Sequence, residues 1–237
     1  MTAGTAARRI GRSIAKIGLA HTLHDLALRA ANRAVLFKIL KGMTVERVHA
    51  EFLVCPEPYR PMFLDEKMLM EYSRDTANDI PRGFLEEALA KGDECYGILA
   101  GDTLAAYGWY SRGPTRIDPP ELVLRPGERY IYMYKGFTHP GHRGRRLHAI
   151  GMTMALHHYL AKGFKGLVSY VESNNFSSLT SVVRMGYEIF GTVCVLKILG
   201  AYRPLASAGW REHGVRIEPA ERRFVSGAGA LVGGSRP

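Results

Sequence analysis

Residues 130–191 constrain the fold more than any other stretch. They open YIYMYKGFTHPGHRGRRLHAIGMTMALHHYLAKG. The pattern predicts a strand over Tyr130–Phe137, a basic glycine-containing turn, and a helix whose face is marked by Leu147, Ile150, Gly151, Met154, Ala155 and His158 and which Gly163 ends. A short apolar strand, Leu167–Val171, follows, then an Asn-started helix over Phe176–Met185 and a long strand over Glu188–Leu199. A strand that feeds a helix through a turn rich in backbone donors is a device for holding an anion. The first amides of a helix lack partners within it, and the helix dipole favours negative charge there.

The rest of the chain supplies the remaining layers. The expected elements are a helix over 6–41 stopped by Gly42, a strand over Thr44–Val54, helices over Met62–Tyr72 and Pro81–Lys91, and a hairpin of Glu94–Leu99 and Thr103–Tyr110 turning at Gly101-Asp102. Pro114, Pro119, Pro120 and Pro126 mark a long loop, and the glycine-rich end from Gly227 is expected to be flexible. Strands in runs and strands alternating with helices both occur, so the pattern predicts an α/β fold with a mixed sheet flanked by helices. Three parts follow: a basic helical arm over 1–42, the main domain over 43–226 and a tail over 227–237.

Charge is placed unevenly. The net charge is +10, and residues 1–41 carry +7 of it, with eight Lys or Arg against Asp25 alone. Ile10, Ile14, Ile17, His21, His24 and Leu28 recur at spacings of three and four within that arm. Such a helix either packs on the domain with a solvated basic face or lies on an anionic membrane surface. An acidic acyl-carrier protein is a further partner for it, and nucleic acid fits the pattern less well. Three scattered cysteines, with neither disulfide parity nor metal-ligand spacing, suit a cytoplasmic protein that is able to sit peripherally on a membrane. No apolar run is long enough to span a bilayer. The histidines His139, His142, His148, His157 and His158 cluster in sequence without metal-ligand spacing, so no metal is expected.

The region from about Glu94 to Leu199 resembles the GNAT superfamily of acyl-CoA N-acyltransferases. Thr138-His139-Pro140 matches that family's strand end, Arg143 the Arg or Gln that opens its phosphate loop, and Asn175, Ser178 and Gly186-Tyr187 its downstream pattern. Arg146 and His148 stand where the family has two small residues. The resemblance implies a GNAT-like fold with two central strands splayed to admit a pantetheine arm. It also implies acetyl-CoA or another acyl-CoA as cosubstrate and a small-molecule or peptide amine as acceptor. Gly136, Phe137 and Thr138 would bind pantetheine and polarise the thioester. Arg143, Gly144, Arg145, Arg146, Leu147 and His148 would hold the pyrophosphate, with Asn175 and Ser178 nearby.

The catalytic base is left open among Glu172, at the end of the apolar strand, and Glu128 and Tyr130, at the start of the preceding one. The tyrosine the family often uses as its acid falls here on Val182. That departure keeps two alternatives in view: an acyl-carrier-protein-dependent enzyme, and a catalytically inactive, coenzyme A-binding or regulatory module.

Overall fold

The computed structural model describes residues 12–16, 18–34, 37–198 and 200–220. The tail from Gly227, Ile10 and Ile17 fall outside them. The described chain is a mixed α/β protein that divides into two compact units, one of residues 1–43 with 170–211 and one of residues 44–169 with 212–237.

In the second unit the strands lie in the order β1-β8-β7-β4-β3-β2. These are Phe37–Val45, Gly166–Glu172, Tyr130–Thr138, Thr103–Ser111, Glu94–Ala100 and Tyr59–Leu64, and β1 and β8 each pass into the first unit. The pairs β2–β3, β3–β4 and β4–β7 are antiparallel, and β7–β8 is parallel. Helices α2 (Glu66–Tyr72) and α3 (Arg82–Ala90) cover one face. Leu69, Leu85, Leu99, Leu104, Tyr107 and Trp109 make a continuous core there. Helix α4 (Leu147–Ala161) covers the other face through Leu147, Ile150, Met152, Leu156 and Tyr159. It approaches closely because Gly151 has no side chain; a Cβ there would lie 3.4 Å from Ile98 Cδ1. A separate small sheet runs in the order β11-β6-β5 (Arg216–Pro219, Leu122–Arg125, Thr115–Arg116).

The first unit contains helix α1 (Leu19–Ala34), the strands β9 (Glu188–Ile198) and β10 (Ala201–Ala206), helix α5 (Phe176–Arg184) and helix α6 (Ala208–Glu212). Its strands lie in the order β10-β9-β1-β8.

Three expectations are corrected here. The helix expected to reach residue 41 ends at Ala34, and Phe37–Val45 is a strand between β9 and β8. Gly42 therefore stops no helix. It leaves room for aromatic rings, since a Cβ there would lie 2.6 Å from both Phe190 Cζ and Trp210 Cζ2. The expected helix over Met62–Tyr72 begins only at Glu66, with Asp65 capping it through the Met68 amide, because Tyr59–Leu64 pairs with β3 as an edge strand. The strand expected over Thr44–Val54 survives only as Thr44 and Val45 at the end of β1.

Candidate functional site

The site builds from β7. Beside it, β8 pairs only with Tyr130–Tyr132, opposite Gly166–Val168. Strand β7 runs on to Thr138, so from Met133 its edge away from β4 has no strand beside it among the described residues. The other edge is irregular. Trp109 pairs with Lys135 and Tyr110 with Met133, so one step along β4 spans two along β7, and Tyr134 is the extra residue of a bulge. A bulge re-aims backbone groups, and this one sits where the open edge begins.

The bulge is fastened from the core side. The Tyr134 hydroxyl donates to Asp93 at 2.8 Å, and Lys91 pairs with the same carboxylate at 2.9 Å while lying over the Tyr134 ring. The Asp93 side chain is 1% exposed. Burial, then the Asp93 charge, raise the Tyr134 pKa well above the ordinary phenol range, so it stays a donor. Next to it, Lys135 pairs with Asp79 at 2.7 Å and lies over Phe84.

Beyond Thr138 the chain turns through Pro140–His142 into α4. Arg143 Nε donates to the Thr138 carbonyl at 3.3 Å and closes the turn on the strand end. Gly144 adopts φ +79°, which glycine reaches without the cost of a Cβ, and Arg146 precedes the helix at φ 58°. No side chain caps α4 and no acid lies in its first turn. Its leading amides therefore stay available to an anion. Of the three arginines, Arg145 donates to the Tyr59 hydroxyl at 2.8 Å and Arg146 reaches Glu51 at 3.4 Å, while Arg143 is exposed. The Tyr59 hydroxyl also lies 3.0 Å from His142 Nδ1.

His148 packs over Gly136. A Cβ on Gly136 would collide with the His148 ring and lie 2.9 Å from Met133 Cε. Burial lowers the His148 pKa, so the ring is neutral near pH 7 and brings no charge to the turn. A shallow depression under the start of α4 is lined by Tyr96, Ile98, Gly108, Leu147, His148 and Gly151.

The structure thus brings together Gly136, Phe137, Thr138 and residues 143–148 at one end of β7. It leaves Tyr130 and Glu128 at the other end; a strand rise of about 3.3 Å per residue sets Tyr130 roughly 20 Å from Gly136. The Tyr130 hydroxyl donates to Glu46 at 2.7 Å, which ties it into the core, and Glu128 is exposed.

In the first unit, Asn175 is the N-cap of α5, its side chain accepting from the Ser178 amide at 3.2 Å. Glu172 accepts from Lys38 at 2.9 Å. Val182 is half-buried, and the buried Tyr187 hydroxyl has no partner among the described residues. Neither the bulge at Tyr134 nor the Asp93–Lys91 pair was expected from the sequence. No local residue pattern encodes a register shift between strands far apart in the chain.

Among the described residues no cluster of three or more His, Cys, Asp or Glu side chains is placed to hold a metal ion. No protein-family model matches the chain, and no curated protein sequence matches it. Among solved structures, the chain is similar to a protein described as a GNAT-family acetyltransferase from Novosphingobium aromaticivorans, at 17% identity and a TM-score of 0.47 over 68% of this chain and 64% of that one. It is similar to a GCN5-related N-acetyltransferase-like protein from Streptococcus suis, at 14% identity and a TM-score of 0.46 over 78% and 68%. It is also similar to a tandem GNAT protein of the clavulanic acid biosynthesis pathway, at 14% identity and a TM-score of 0.47 over 75% and 57%. The chain therefore spans less than two thirds of the length of the first and third of these.

Proposed function

We propose that the chain transfers an acyl group from an acyl-coenzyme A thioester, acetyl-CoA foremost, to an amine. The observation that carries this reading is the unpaired edge of β7 from Met133 to Thr138, opening at the Tyr134 bulge and leading directly into the uncapped start of α4. An open strand edge offers alternating amides and carbonyls to an extended chain that carries amides of its own, and pantetheine is such a chain. The free amides of the first α4 turn and the exposed Arg143 suit a pyrophosphate.

In the proposed reaction an amine attacks the thioester carbonyl. A backbone N–H on the open edge stabilises the oxyanion, and the carbon–sulfur bond then breaks to release the coenzyme thiolate. The ammonium proton goes to a base and the thiolate takes up a proton.

The test of the binding site is calorimetry with coenzyme A on the double variant Arg143→Ala, Gly144→Pro. Proline cannot hold the φ of +79° at residue 144 and lacks the N–H, so affinity should fall at least about tenfold. Equal affinity in the folded variant would refute the anion assignment.

The second reading is a coenzyme A-binding module without turnover. It is favoured by Val182 at the position where the family resemblance places the acid. Coenzyme binding with no thiol release across a panel of amines would select it.

A further inference from the structure

Helix α1 has two faces of opposite character. His21 and His24 lie 4.2 and 6.3 Å from the Phe176 ring. His24 Nε2 is 3.1 Å from Ser173 Oγ, Asp25 accepts from Asn174 at 3.1 Å, and Leu28 is buried. Of the stripe that spacing picked out, His21, His24 and Leu28 are therefore fastened to their own unit, while Ile14 is exposed. Three leucines of the same helix point outward: Leu19 is 58% exposed, Leu23 56% and Leu26 37%. At i, i+4 and i+7 they form one continuous row. Arg12 and Lys16 are exposed just before that row, and Arg29, held by Asp25 at 2.7 Å, is exposed after it.

We propose that this outward face lies on an anionic lipid surface, with Leu19, Leu23 and Leu26 at the boundary between headgroups and acyl chains and the basic residues of the arm on the headgroups. A membrane accepts both features at once, leucines below and positive charge around them. Nucleic acid would engage the charge and leave the leucine row in water. A second copy docked through the same helix would set two basic arms against each other, each with six Lys or Arg against Asp25 in residues 1–34. The inference is independent of the acyl-transfer reading, which concerns the other unit.

The experiment is co-sedimentation of the full chain with vesicles of phosphatidylcholine mixed with phosphatidylglycerol, and with vesicles of phosphatidylcholine alone, at low and raised salt. The protein should pellet with the anionic vesicles at low salt, be released by salt, and ignore the neutral ones. Leu19→Gln with Leu23→Gln should weaken partitioning at least about tenfold at an unchanged melting temperature. Arg12→Gln with Lys16→Gln should weaken it by about thirtyfold, at roughly fivefold per basic residue. Absence of anionic-vesicle binding at low salt would overturn the proposal. So would full binding by the leucine variant, a large fall in its melting temperature, or tight binding to duplex DNA or an acyl-carrier protein by a chain that ignores vesicles.

Discussion

Gly136 and His148 are two halves of one packing arrangement, and neither makes sense without the other. The imidazole occupies the space a side chain at 136 would need. Gly136→Ala should therefore destabilise the protein by about 1–3 kcal/mol, and His148→Ala should recover most of that loss in the double variant. Additive losses in chemical denaturation would show that the two do not share the space. The same histidine contributes a pH dependence of known sign. Burial lowers its folded pKa below the ordinary 6.5, so the stability it confers is complete above that value and is lost as pH falls toward the folded pKa. His148→Gln should accordingly flatten the fall in melting temperature between about pH 7 and 5. Part of the slope should remain, because burial lowers the His158 pKa as well. The Asp93 carboxylate is the sharpest single liability. Asp93→Ala takes the carboxylate from the Lys91 ammonium and leaves the Tyr134 hydroxyl without its acceptor, at a cost of about 3–5 kcal/mol by denaturant unfolding. Sequence reading singled out both Gly136 and His148, yet as contacts for a cofactor. That they touch each other depends on how the strand returns into the helix, which no local pattern carries.

At the level of elements, the parts with clean periodicity were legible. The strand expected over Tyr130–Phe137 is Tyr130–Thr138, the hairpin expected over Glu94–Tyr110 spans Glu94–Ser111, and the helix expected over Phe176–Met185 is Phe176–Arg184. What failed was ambiguous by nature. Phe37-Lys38-Ile39-Leu40 continues a helical stripe as readily as it alternates, and the decision lies in pairing with strands more than a hundred residues away. Tyr59–Leu64 is similar, since its β3 partner decides it. The segment after Leu199 carries weak apolar signal, and its strands β10 and β11 are fixed by β9 and β6. Within α1 the helical period was clear, but a period does not say which face is covered; the contacts with Phe176 and Ser173 do.

Across the whole molecule, the chemistry divides with the two units. The second holds the open β7 edge, the Tyr134 bulge, the turn and the start of α4; the first holds Glu172, the Asn175 cap and the helix with the exposed leucine row. The open edge of β7 and the first turn of α4 are proposed to be one continuous binding surface for an acyl-coenzyme A. Amide hydrogen exchange with and without coenzyme A tests this directly, because amides that gain partners exchange more slowly. Slowed exchange is expected in Met133–Thr138 and Leu147–Ala149 together, with β2 and β3 unchanged. Coenzyme binding that leaves both segments exchanging at their free rates, or that protects residues elsewhere alone, would contradict it.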